Sequence, residues 1–367
     1  MRIWALLSIL SLPAALGAQT YRVVDVSESL PPAVRSIAVD LRDNGTFSGM
    51  LEGSGGRLKP FVVHGDGQVE IFDSGFYDEH YVRAGNGSGR LVGQYPGSSV
   101  GWVRTGSELS CVPTPLPCGS ASLYLSSMPW AINEDGVFVG SQSLPPPDGF
   151  SRSQGYRASI DAQGAIQIHG LGRWMDQFDT VATVIGEGPQ PLILGFAVTH
   201  AATSEYQPLL WQASGWIALG VAGRNRMPIA VNAAGSAVGA VRGPGGQAGF
   251  IGLLWDLGDP SAAGDLLPEY PGASSTRPSD INGRSEIIGS ATIGHGPLDT
   301  RGWLLRDGTL VALDDLLPDF PQWTILSAVA ITEDGRIAAT ARFGSTPGTR
   351  AVMLIPELED SIFRHSF

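Results

Sequence analysis

The sequence predicts an all-β chain, a single β-propeller of seven four-stranded blades closed by a strand from its own N-terminus. Three observations lead there. An element of the form Asn-x-x-Gly-x-x-apolar-Gly recurs along the chain, turn formers are abundant while charge is scarce, and one strand without a repeat of its own precedes the first unit.

The recurring element is seen in Ala131-Ile132-Asn133-Glu134-Asp135-Gly136-Val137-Phe138-Val139-Gly140 and in Ala230-Val231-Asn232-Ala233-Ala234-Gly235-Ser236-Ala237-Val238-Gly239. It returns in Ser279 to Gly289 and in Ala330-Ile331-Thr332-Glu333-Asp334-Gly335. Its last residue falls at Gly49, Gly93, Gly140, Gly195, Gly239, Gly289 and Ala339, at intervals of 44, 47, 55, 44, 50 and 50. Asp265-Leu266-Leu267-Pro268 recurs as Asp315-Leu316-Leu317-Pro318, again 50 apart. Two elements sharing a period of this length mark a propeller, solenoid or array.

Each unit reads as four short strands. The first ends at the Ile-Asn pair, a glycine turn follows, and the second closes on the marker glycine. The third opens with a small residue and a large one (Pro60-Phe61, Gly101-Trp102, Gly155-Tyr156, Gly249-Phe250, Gly302-Trp303), and a second glycine turn leads to the fourth. Units of this size bury both sheet faces only by stacking, and a closed ring removes the end sheets. The seventh unit stops after its third strand, Arg350 to Ile355, and Tyr21 to Val26 is the fourth strand it lacks. The repeat units span about 37–356 within one domain, 19–367.

Of the 367 residues, 43% are hydrophobic and 16% charged, while 49 Gly and 26 Pro exceed a fifth of the chain. That composition supports a hairpin-rich core and excludes disorder. A net charge of −12 with no basic cluster excludes nucleic acid as a partner and argues against an anionic membrane face. Residues 1–18 read as a signal peptide: Arg2, an apolar run from Ile3 to Leu10, Pro13, then small residues before Gln19. No later stretch is long and apolar enough to insert in a membrane, so the expected product is a monomer, secreted or periplasmic. In an oxidising compartment Cys111 and Cys118, flanking a triple-proline loop, are expected to form a disulfide.

The Ala-Ile-Asn-x-x-Gly-x-x-Val-Gly element, a small-aromatic-Leu-Leu strand and Asp-Leu-x-x-Leu together resemble the HAF-repeat family of exported bacterial β-repeat proteins. The last pair of units carries the likeness most fully, with Arg301-Gly302-Trp303-Leu304-Leu305, Leu313 to Pro318 and Ala330 to Gly335. The His-Ala-Phe triplet is absent, its place held by pairs such as Gly302-Trp303. The resemblance implies an exported repeat protein of no assigned activity, and it transfers no catalytic residue.

Candidate chemistry is sparse. The in-phase Asn86, Asn133, Asn232 and Asn282 suit turns, because Asn bonds its own backbone. Acidic turns such as Asn133 to Gly136 lack the alternating ligands of a calcium loop. Gly97-Ser98-Ser99-Val100-Gly101 matches a nucleophile elbow without the strand–turn–helix setting it needs. Histidines 64, 80, 169, 200, 295 and 365 show no ligand spacing, so no metal and no cofactor are expected. Trp102, Trp211 and Trp303 read as inter-blade core, and Asp265 and Asp314-Asp315 as loop caps. Two function classes follow, beside the weaker reading of a purely structural surface repeat. One is a binding scaffold for an extracytoplasmic protein, peptide, glycan or envelope component. The other is a hydrolase, lyase or lactonase with its site at a channel mouth.

Overall fold

The computed structural model describes residues 19–357, apart from position 54 and positions 73–80, 96–99, 113–125, 145–151, 162–164, 244–248 and 297. The chain forms seven antiparallel sheets in a ring, six of them meanders whose strand order follows the sequence and the seventh completed by the N-terminal strand. Their innermost strands are Arg35–Leu41, Tyr81–Gly85, Ser127–Ile132, Thr180–Ile185, Met227–Val231, Ser275–Ile281 and Trp323–Ile331. They define blades 1 to 7. Blade 4 gains a short extra strand, Gly223–Arg224, on its third strand.

Closure is as expected from the termini. Tyr21–Asp25 pairs antiparallel with Arg350–Pro356 and completes blade 7, with Tyr21 opposite Pro356. Tyr21 is 1% exposed, and its hydroxyl accepts a 3.0 Å hydrogen bond from Arg306 of blade 6. Blade 7 in turn packs on blade 1, where Ala351 N donates to Ser36 Oγ at 2.8 Å. Core clusters straddle neighbours throughout: Ala38, Phe47 and Phe61 of blade 1 pack with Ala330, Ala338 and Ala351 of blade 7.

One irregularity recurs in every blade. The register between the first two strands shifts between Ala38 and Asp40, Val82 and Ala84, Pro129 and Ala131, Ala182 and Val184, Pro228 and Ala230, Pro278 and Asp280, and Ala328 and Ala330. Each shift is a bulge, where two residues of the inner strand oppose one on its neighbour. The marker glycine sits where a side chain would not fit. A Cβ on Gly289 would sit 2.2 Å from the Arg277 carbonyl oxygen of the bulged inner strand, and 2.5 Å from the Trp303 ring. Gly49 meets Phe61, Gly93 meets Trp102 and Gly140 meets Tyr156 in the same way.

Two details differ from the repeat as read. In blade 5 the aromatic covering Gly239 is Trp255, not Phe250, which pairs with Arg242 near the start of its strand. In blade 6 the turn position held elsewhere by glycine is Ser285, with φ of 61°.

Candidate functional site

The ring encloses a central cavity of 490 Å³ that opens beside the turns joining the first and second strands. Every blade contributes to it, and the bulges decide how. Because two consecutive residues of each inner strand face the lumen, the cavity receives Val39 and Asp40, Arg83 and Ala84, Trp130 and Ala131, and their counterparts in the other blades. The bulged position varies from blade to blade, holding Val39, Arg83, Trp130, Thr183, Ile229, Ser279 and Val329. Sequence reading missed this ring. The signal was present as the nonrepeating residue just before the small one of the Ala-Ile-Asn element.

The repeated asparagines do more than turn the chain. Each Oδ1 accepts from its own turn, as from Val137 N to Asn133 at 2.9 Å and from Ser236 N to Asn232 at 2.9 Å. Each Nδ2 then reaches the next blade: Asn86 to Asn133 O at 3.2 Å, Asn133 to Gly186 O at 3.3 Å, Asn232 to Asn282 O at 2.9 Å, and Asn282 to Thr332 O at 3.2 Å. The carboxylate one residue later links backward. Glu134 accepts from Gly87 N, Glu187 from Glu134 N, Glu333 from Gly283 N and Asp43 from Glu333 N, at 2.8–3.0 Å. The mouth is thus laced in both directions.

Arg42 holds the asparagine position in blade 1. Its guanidinium donates to Gly85 O at 2.9 Å and Ile132 O at 3.0 Å, doing for two carbonyls what the carboxamide does elsewhere. It also meets Asp40 at 3.0 Å, Glu187 at 3.1 Å and Glu134 at 3.6 Å, joining acids from three blades. Burial alone would lower the Arg42 pKa, but the Asp40, Glu134 and Glu187 carboxylates hold it above the ordinary arginine value. Burial raises Glu187, against the Glu134 N–H and the Arg42 charge.

Asp280 lines the cavity and is strongly displaced in titration. Burial pushes its carboxyl to about 7 even though it accepts the N–H groups of Ile331 at 2.9 Å and Ile281 at 2.8 Å. Asp40 stands at the equivalent position of blade 1 and accepts Gly85 N at 3.1 Å and Leu41 N at 2.8 Å. Both aspartates therefore bridge to the following blade.

Arg83 differs from Arg42. It stacks over the Trp130 ring at 4.5 Å, donates to Gln94 Oε1 at 2.8 Å, and stays exposed to the lumen. Desolvation against its neighbours lowers its pKa.

Among the described residues nothing at the mouth pairs a nucleophile with a base and no histidine lines the cavity; His64 lies 3.1 Å from Glu70, and His200 lies 2.9 Å from Thr203. Among the described residues no group of three or more His, Cys, Asp or Glu is placed to hold a metal ion. Trp102 and Trp303 are fully buried core, Trp211 is half-buried, and Asp314 caps its loop by accepting Ile325 N at 2.7 Å. Positions 97–99 of the elbow-like match, His80, His365 and Cys118 lie outside the described residues, so the pairing of Cys111 with Cys118 is not described.

No family model matches the chain, and no curated protein matches it in sequence. Solved structures do resemble it in fold. YCF48, in a structure titled as bound to a D1 peptide, is 15% identical with a TM-score of 0.52, over 95% of this chain and 98% of that one. A puromycin hydrolase, crystallised as an S511A mutant, is 14% identical with a TM-score of 0.54, over 85% of this chain and 50% of its own. A puromycin-hydrolyzing peptidase of Mycobacterium tuberculosis is 13% identical with a TM-score of 0.50, over 88% and 55%. This chain spans about half the length of the two hydrolytic proteins. At such identities the likeness establishes a propeller scaffold and no activity.

Proposed function

We propose that this chain is an exported β-propeller binding module that takes a peptide segment of an extracytoplasmic partner at its channel mouth. One observation carries the reading. Seven bulges gather one variable residue per blade into a single cavity, while the carboxylates around it already accept protein hydrogen bonds. Variable side chains on a rigid repeat suit recognition, and satisfied carboxylates are poor general bases. The wall favours peptide over glycan. Val39, Ile229, Val329, Ala84 and Ala131 offer apolar contact and few partners for hydroxyl groups. Export rests on the signal-like leader and on the HAF-repeat resemblance, and the expected Cys111–Cys118 disulfide belongs to the same reading.

The test is binding of a peptide panel and a glycan panel to the mature chain and to a Ser279→Trp variant. Ser279 is a bulge residue facing the lumen, so the added indole fills the cavity without entering the core. Ligands lost in that variant support the mouth as the site, and ligands retained refute it. Cell fractionation and an N-terminus at Gln19 test export, and resistance of both cysteines to alkylation before reduction tests the disulfide.

The enzyme reading draws on one observation, the near-neutral Asp280 carboxyl inside the cavity. Turnover of an ester, lactone or glycan substrate that Asp280→Asn abolishes would establish it.

A further inference from the structure

The binding-module reading leaves open what end of a ligand enters the cavity, and charge pairing around the lumen decides it. Among the described residues six carboxylates line the cavity, and each accepts at least one main-chain N–H. Two described cations line it. Arg42 is compensated by Asp40, Glu187 and Glu134. Among the described residues Arg83 has a neutral amide and an aromatic face as partners, Gln94 at 2.8 Å and Trp130 at 4.5 Å, and no carboxylate. A partly desolvated guanidinium without a counter-ion is unfavourable, and a carboxylate arriving in its plane gives the strongest hydrogen-bonded pair available to it.

We propose that the inner end of the cavity takes a terminal carboxylate borne on an apolar chain, as at the C-terminus of an extended peptide, with Arg83 as its partner. The proposal rests on the channel mouth being the recognition site. Arg83 and the other bulge residues form the innermost ring, beside Val39, Ile229 and Val329, which suit an apolar last side chain. From that ring to the rim carboxylates is a rise of about three to four strand residues, roughly 10–13 Å. An extended peptide of the same number of residues covers that depth. Asp40 and Asp280 lie one position above the bulge ring, whereas Asp43, Glu134, Glu187 and Glu333 lie at the rim, the opposite end from Arg83, so a basic residue three positions before the terminus would stand at the rim while the terminal carboxylate meets the guanidinium. Capture of a C-terminal carboxylate is a recurrent peptide-recognition mode, and here the donor is one planar side chain.

The experiment is calorimetry on the mature protein with three probes: acetyl-Lys-Ala-Ala-Leu with a free C-terminus, its C-terminal amide, and hexanoate. The expected result is that the acid binds at least tenfold more tightly than the amide. That preference disappears in Arg83→Gln and survives in part in Arg83→Lys, which keeps the charge without the planar fork. Hexanoate as tight as the peptide acid makes a free organic acid the source of the carboxylate. Weaker hexanoate makes it a peptide end. Amide binding equal to acid, or an acid preference that persists in Arg83→Gln, overturns the carboxylate assignment while the peptide site stands. Absence of binding by both peptides overturns the assignment and the peptide reading together. The acid–amide comparison on the unmodified protein needs no variant to fold.

Discussion

Adding one methyl group at Gly289 should cost the ring more than its size suggests. The new Cβ would approach the Arg277 carbonyl oxygen to 2.2 Å and the Trp303 ring to 2.5 Å. The ring is fully buried and the carbonyl belongs to the bulged inner strand, so neither yields without moving a packed neighbour. Overpacking of this kind costs about 2–3 kcal/mol. With about 0.7 kcal/mol per °C of unfolding entropy for a chain of this length, the melting temperature should fall by about 3–4 °C. Blade 7 is the natural control. It has Ala339 at this position, opposite Val352 rather than an aromatic residue, and its inner strand carries a second register shift between Ile325 and Ser327. Removing the ring should therefore relieve part of the strain. In a Trp303→Val background, Gly289→Ala should cost about 1 kcal/mol less than alone, read by thermal unfolding of all four proteins in a double-mutant cycle. An unchanged melting temperature for Gly289→Ala, or strict additivity in the cycle, would refute the coupling of bulge, glycine and aromatic.

Three further expectations follow from the same geometry. Deleting Tyr21 to Asp25 exposes the edge of Arg350–Pro356 and removes a 1% exposed tyrosine, so the whole ring should lose stability; unaltered thermal unfolding would argue that closure contributes nothing. Arg42→Met strips the counter-ion from Asp40 and the donor from two carbonyls, a loss of about 3–5 kcal/mol measurable by denaturant titration, and a loss below about 1 kcal/mol would show the network is dispensable. Asp280 has a folded-state pKa near 7, above its unfolded value near 3.8, so the folded state binds the extra proton between those values. Its contribution to stability therefore declines as pH rises from about 4 to about 7. Glu286 and Asp334, held below their ordinary values chiefly by Arg284 and Arg336 despite burial, contribute stability that is lost as pH falls below about 4. The difference in melting temperature between Asp280→Asn and the unmodified chain should change across pH 4–7, and a constant difference would contradict the burial argument.

Much of the fold was legible because it depends on local chemistry repeated in phase. Positive-φ turns need glycine, as Gly45, Gly136, Gly235 and Gly335 show with φ of 74–87°, and the 44- to 55-residue spacing makes each turn visible. The final unit lacked an outer strand and the N-terminus offered one, so closure between Tyr21–Asp25 and Arg350–Pro356 could be inferred from count alone. The role of the asparagines was half legible. Bonds from Asn133 to its own turn are local, whereas the bond from Nδ2 to Gly186 O joins residues 53 apart and depends on how blades stack. The marker glycine was legible as a landmark and opaque as a cause. Its reason is a bulge in one strand and a ring from another, neither within five residues of it.

The sequence by itself determined the class of object: short strands, tight turns and one period, all set by interactions between residues a few positions apart. Only the tertiary structure decided the site. Arg83, Trp130 and Asp280 belong to three blades, and nothing in their local sequence places them in one lumen. They share it because the bulge turns the same two consecutive positions inward in every blade and the ring brings those positions together. Arg42 reads as an irregularity of the first unit until closure sets it against carboxylates from blades 3 and 4, where a charge replaces a carboxamide. Electrostatic pairing depends on distance in space, and in a ring that distance is set by the number of blades and the way they stack.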